Sequence, residues 1–294
     1  MAKAKVLFTK EVSPEAIVKI YECLGKKLSG KIGVKISTGE LGGHNYLHPE
    51  MIDKIVNKLN GTIVECNTAY GGSRQETKDH LNTIHEHGFD KVFKVDILDS
   101  EGEIKFPVKN GYHLKEAIVG KNIKNYDSFL ILSHFKGHQM AGMGGALKNI
   151  SIGFSSTAGK ALIHSAGVTT DSKKCWALPT KQDDFLESMA DAVRAITDGV
   201  GKDNMVYINV AYRLSIDCDC DSNPAEPEMA DLGIFASTDP VAVDKACYDA
   251  VHSSSDKGKK SLVERMKERN AYHILEAANK HNLGSLDYEI VNID

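Results

Sequence analysis

The segment Asp217-Cys218-Asp219-Cys220-Asp221 sets two thiols one residue apart among three carboxylates. In an extended segment, residues i and i+2 face the same side, so both sulfurs can reach one ion while the aspartates point elsewhere. Flanking carboxylates raise a thiol's pKa, which argues against a solitary catalytic thiolate. A bound cation reverses that penalty and deprotonates the sulfurs. The C-x-x-C spacing of a redox disulfide is absent. Metal ligation by Cys218 and Cys220 is therefore the expected chemistry, with two incidental cysteines in a turn as the alternative.

A second group lies in SHFKGHQMAGMGGALKNISIGFSSTAGKALIH, Ser133–His164. His134, Lys136, His138, Lys148, Asn149 and His164 are set among glycines there. Glycines let a backbone approach a ligand, and successive amides can form an anion nest. Gly142, Gly144 and Gly145, with Asn149 and His164, are expected to bind a cofactor or ligand, and Lys148 to neutralise its oxyanion. His134 and His138 are expected either beside the sulfurs as ligands or as acid–base groups. Neither G-x-x-x-x-G-K-[ST] nor G-x-G-x-x-G occurs, so the phosphate-loop and dinucleotide patterns are absent. A third loop, STGELGGHNYLH (Ser37–His48), offers His44 as a further metal ligand; its glycines and Pro49 argue against a helical pair with His48.

All three groups follow β-branched runs. Lys5–Phe8, Lys31–Ile36, Thr62–Glu65, Lys91–Val95, Asp127–Leu132, Met205–Val210 and Asp231–Ala236 read as strands. Helices are expected after Ser13-Pro14, from Pro49, over Thr77–His87, Asp183–Thr197, Pro240–Val251 and Ser261–Asn282. Asp239 before Pro240 is a predicted N-cap, while Asp244 is either solvent-facing or a support for a liganding histidine. The alternation predicts an α/β fold with a mixed or largely parallel sheet flanked by helices, whose ligands gather at strand carboxyl ends. Residues 1–294 read as one α/β domain or two intimate lobes, without a clear internal boundary. Cys23 and Cys247 fall on apolar helix faces, and His80, His85 and His87 read as solvated.

Composition narrows the class. Hydrophobic residues at 41% and charged residues at 26% are ordinary for a globular protein. A net charge of −4 gives no field to draw in nucleic acid or an anionic membrane. No apolar run approaches the ~18 residues of a membrane span, and MAKAKVLFTKEV breaks into charge before a signal core could form. A cytoplasmic location is expected. The six cysteines are too dispersed for a secreted disulfide scaffold.

The glycine-rich block, the Cys218-Asp219-Cys220 element and DLGIFASTDPVAVDKACYD (Asp231–Asp249) resemble the "domain of unknown function 362" family, which includes iron–sulfur-centre proteins. Fuller members carry a ferredoxin-like insert between the first two blocks. Here that region holds only Cys175, and a cubane cluster needs four thiolates. The resemblance implies a short form with the shared α/β core but without the ferredoxin module.

The expected function is a metal or metal-cluster protein of iron, iron–sulfur or zinc type, built from Cys218 and Cys220 with His134, His138 or His44. Its partners would be a small anionic ligand and, if redox-active, a partner protein. One alternative is a metal-assisted isomerase or racemase of a small hydroxy or carboxy acid, with His134 and His138 exchanging a proton. The other is a non-catalytic electron-transfer or structural-metal protein.

Overall fold

Strands with no polar face dominate the sequence, and they become the centre of the sheet. The structure is a computed structural model and describes residues 3–294. Met1 and Ala2, the start of the segment judged too charged for a signal core, lie outside the described residues.

The first half comprises β1 (Ala4–Thr9), α1 (Pro14–Cys23), β2 (Ile32–Lys35), α2 (Pro49–Leu59), β3 (Thr62–Glu65), α3 (Thr77–Glu86), β4 (Val95–Ile97) and the hairpin β5 (Glu103–Pro107) and β6 (Glu116–Gly120). Next come β7 (Ser128–His134), the ribbon β8 (Lys136–His138) and β9 (Gly142–Gly144), then α4 (Ala146–Phe154), α5 (Thr157–His164) and α6 (Gln182–Val200). The last part is β10 (Met205–Ala211), β11 (Gly233–Ser237), α7 (Pro240–Ser253), α8 (Lys259–Glu268), α9 (His273–Lys280) and β12 (Tyr288–Asn292).

Eight strands form one sheet in the order β12-β1-β11-β10-β7-β2-β3-β4. Only β11 runs antiparallel to its neighbours; the other pairings are parallel. This is the mixed, mostly parallel α/β sheet expected. All seven residues of β7 and all seven of β10 are buried, as strands covered on both faces require. Their alternate side chains feed two cores. Leu130, Leu132, Val206 and Ile208 pack with Ile17, Ile20, Ile52 and Ile55 of α1 and α2. Phe129, Ile131, Met205 and Tyr207 pack with Leu147, Ile150, Val193 and Leu275 on the opposite face.

Local signals hold where the chain's own chemistry sets them. Ser13 caps α1 through Ala16 N, and Asp239 caps α7 through Val241 N and Ala242 N at 2.9 and 2.8 Å, with Pro240 following. Asp239 also accepts from Ser285 N, tying α7 to the segment before β12.

Other expectations are corrected. The strand expected at Lys91–Val95 is a single 3-10 turn, Phe89–Lys91, followed by β4, because Phe89 takes the core position and Val92 is exposed. Ser261–Asn282 is two helices, interrupted where Asn270 adopts φ 47° and Ala271 turns into the core. Cys23 is exposed at the end of α1, whereas Cys247 is buried. His80 is buried rather than solvated, bridging Glu65 and Asn67. No helix among the described residues is long and apolar enough to cross a membrane.

From β2 the chain steps outward to β3 and β4, then returns to place β7 on the other side of β2. The carboxyl ends of β2 and β7 thus border a topological switch point, where open α/β sheets form crevices.

Candidate functional site

The cysteine segment reaches this crevice through β8. Gly137 N donates to Ser215 O at 2.8 Å, and a Cβ on Gly137 would lie 2.3 Å from Ile216 O. Glycine is required here for the two backbones to lie this close. Residues 215–221 are consequently laid against β8, and the sulfurs of Cys218 and Cys220 come within 4.8 Å of each other and of a ring nitrogen of His138. Cys220 Sγ is 3.9 Å from His138 Nε2, and Lys148 Nζ is 3.7 Å from Cys218 Sγ.

The electrostatics differ from those expected of a Cys-Asp-Cys run. Asp219 turns away from the sulfurs, its Oδ1 2.8 Å from His134 Nδ1 and its Oδ2 accepting from Lys136 Nζ at 2.7 Å. Burial works to raise the Asp219 carboxyl, but Lys136 and His134 hold it below its usual range. The Cys218 thiol is well below its ordinary value, through a hydrogen bond from Cys220 and the nearby Lys148, His138 and Lys136, all against burial. Cys220 is pushed up by sharing with Cys218 and by burial. Lys148, His138 and Lys136 facing Cys218 favour its thiolate, so the expected raising by flanking carboxylates does not hold there.

Histidine roles follow from hydrogen bonds. His134 Nε2 faces Tyr212 O at 2.7 Å, so both its nitrogens are engaged with oxygens and neither joins the group formed by His138 and the sulfurs. His134 therefore stands apart from the sulfur group, held between Asp219 and Tyr212. His138 Nδ1 accepts from Met140 N and Ala141 N at 3.1 and 2.9 Å. Its proton is then on Nε2, pointing at the sulfurs. Metal-bound histidines instead donate through the nitrogen that does not hold the metal. Burial and Lys148 push the His138 pKa down.

The glycine block carries an internal anion. Asp244 accepts from Ala146 N and Leu147 N at 2.7 and 2.9 Å, and from Asn209 Nδ2 at 2.7 Å. A Cβ on Gly145 would lie 2.5 Å from Asp244 Oδ1, so this glycine admits the carboxylate. Asp244 thus faces neither solvent nor a histidine; it caps α4. The α4 amides next to the expected nest are thus taken, while Gly144 and Gly145 themselves line the cavity beside the sulfurs. Asn149 is likewise engaged: its Nδ2 donates to Lys35 O, Leu132 O and Ser133 Oγ, joining α4 to β2 and β7.

A cavity of about 380 Å³ opens beside the sulfurs. Exposed Tyr70, Met140 and Trp176 line its outer part, and buried Lys35, Cys66 and Lys160 its inner part. His164 lines it as well, stacked on Phe185 with ring centroids 4.8 Å apart. Burial pushes His164 down to about 3, and its buried Nδ1 has no hydrogen-bond partner. The loop of His44 lies against the cysteine segment through Glu40 N and Asp219 O, but the partly exposed His44 ring pairs with Glu226 Oε1 at 2.6 Å and is not grouped with the sulfurs. Sequence reasoning missed Lys35, Lys160 and the buried Arg74, which pairs Glu40 and Glu65. A lysine inside the otherwise apolar strand KIGVKI was the available signal.

The sulfurs fit a thiophilic ion, but a four-thiolate cluster does not fit: of the six cysteines, only Cys218 and Cys220 join a potential ligand group among the described residues. The other such group is His113, Asp184 and Glu187.

Fold and site together define an α/β protein with a thiol-walled cationic cavity at a sheet switch point. The chain belongs to the domain of unknown function family DUF362, whose model matches residues 32–249. No functionally curated protein matches it. Among solved structures it is similar to the lactate racemase apoprotein from Thermoanaerobacterium thermosaccharolyticum, at 17% identity and TM-score 0.46, covering 84% of this chain and 56% of that one. It is also similar to a Thermotoga maritima protein at 12% identity and TM-score 0.49, covering 83% and 59%. The chain thus spans little more than half the length of either.

Proposed function

We propose that this protein holds a thiophilic metal ion, zinc or iron, through Cys218 and Cys220 and acts on a small organic anion in the adjoining cavity. The observation that carries this reading is the approach of the two sulfurs to within 4.8 Å of each other on the wall of a lysine-rich cavity. When bound, the ion supplies Lewis-acid or redox chemistry. The chain's own residues do the rest. Lys148 offsets thiolate charge, His138 Nε2–H points at the sulfurs, and the Tyr70, Met140 and Trp176 side chains form an apolar mouth that limits water.

Anaerobic purification with elemental analysis tests the reading. Wild type should carry stoichiometric metal, and the Cys218→Ser/Cys220→Ser double variant should fold, by circular dichroism, and lose it. Metal retained by the double variant would overturn the assignment to the sulfurs.

A second reading is favoured by one observation, the two backbone N–H groups donating to His138 Nδ1. That pattern suits a metal-free Cys218 thiolate acting as nucleophile, with His138 as its donor. Wild type purified anaerobically without metal, yet modified by iodoacetamide at Cys218 alone, would select it.

A further inference from the structure

Two lysines of the cavity have no counter-ion. Lys35, at the end of β2, is 2% exposed, and Lys160, on α5, is 5% exposed. Each makes one hydrogen bond, and only to a backbone carbonyl: Lys35 Nζ donates to Ile36 O at 2.6 Å and Lys160 Nζ to Ser155 O at 2.5 Å. Neither forms an ion pair among the described residues. An ammonium has three N–H donors, so two on each lysine remain without a partner. Glu65 is the carboxylate whose field reaches both, but it is already engaged: Arg74 lies at 3.3 Å, His80 at 3.1 Å and the Thr38 hydroxyl at 2.5 Å.

A buried charge without a partner is costly, and both lysines register that cost. Burial pushes Lys35 down to about 8 and lowers Lys160 as well. Cys66, on the same wall, offers no anion, since burial pushes its thiol well up. The placement of Lys35 also depends on a glycine. A Cβ on Gly153 would lie 2.7 Å from Lys35 Cε and 2.8 Å from its Nζ, so the missing side chain makes room for the ammonium. The amides at the start of α4 cannot serve an incoming anion, because Asp244 holds them.

We infer that Lys35 and Lys160 form a seat for the oxyanion of a small molecule, a carboxylate or a phosphate, at the buried end of the cavity. This rests on the cavity being a small-molecule site, and it does not require a metal. An anion seated there extends its remaining atoms toward Lys148 and Cys218, which line the same cavity. Its charge supplies the partner that the fold withholds from both lysines.

Thermal denaturation at pH 7 and constant ionic strength, adjusted with sodium chloride, tests the seat. Malonate is titrated in one arm and inorganic phosphate in the other, with metal content measured on the same preparation so that the two readings fail separately. Wild type should show a saturable rise in Tm, on the order of 5 °C at a hundredfold excess over Kd. The responding arm distinguishes carboxylate from phosphate. Lys35→Met and Lys160→Met should each lose the rise and, without anion, melt above wild type, because an uncompensated buried charge is gone. No saturable rise in either arm, a rise retained in the Lys35→Met/Lys160→Met double variant, or folded Met variants melting below wild type would each overturn the seat. If a Met variant does not fold, Gly153→Ala replaces it: the added Cβ displaces the Lys35 ammonium and should weaken the response, and an unchanged response counts against the proposal.

Discussion

Asp219 Oδ1 lies 2.8 Å from His134 Nδ1, with both side chains buried. The carboxylate between the two cysteines is thereby spent on the strand end behind it, and Lys148 and His138 face the sulfurs instead. The charge around the thiols is set by this turn of one side chain. A run of alternating Asp and Cys would otherwise surround them with negative charge.

Asp219→Ala should be strongly destabilising. It leaves Lys136 buried without its partner at 2.7 Å and frees His134. Breaking a buried pair from one side costs about 3–5 kcal/mol. Urea unfolding, read as a fall in midpoint at unchanged m, measures it. A loss under ~1 kcal/mol, the range of an exposed pair, would mean that the pair is solvated.

Gly137→Ala should separate the sulfurs from His138. The new Cβ would meet Ile216 O at 2.3 Å, a backbone atom that yields only if residues 215–221 move. Overpacking of this kind typically costs about 1–3 kcal/mol. The expected outcome is a lower Tm together with reduced metal content. Full metal content in the folded variant would show that the close approach of the two backbones does not position the thiols.

Asp244→Asn should destabilise the protein by about 1–3 kcal/mol, because one carboxamide face presents N–H to a backbone N–H of α4. The pH dependence has a definite sign. Burial pushes Asp244 up to about 6 from an ordinary 3.8. The folded state therefore holds this proton more tightly than the unfolded chain, and wild type loses stability as pH rises from about 4 to about 6. The asparagine variant lacks that titration, so its deficit relative to wild type should shrink over this window. Urea unfolding at pH 4, 5, 6 and 7 reads the difference, and a deficit that widens with pH would contradict the burial argument.

The strand–helix alternation, the Asp239–Pro240 start of α7 and the proximity of Cys218 to Cys220 were legible in the amino-acid order because each depends on neighbours within a few residues. A period of two or 3.6, a side chain capping the amides two and three places on, and an i, i+2 pair are all local geometry. The partners that set the site's electrostatics lie far along the chain. Asp244 caps α4 across 98 residues and Asp219 meets His134 across 85. Lys35 and Lys160 share one cavity because β2 and α5 are packed around the same switch point. Those pairings arise only when the sheet order brings the ends of β2, β7 and β10 together. The same packing excludes water, and that exclusion turns a lysine at a strand end into a cation that needs an anion. The loop of His44 packs against the cysteine segment, with Glu40 N donating to Asp219 O at 2.7 Å, yet its ring turns to Glu226 and does not join the sulfurs.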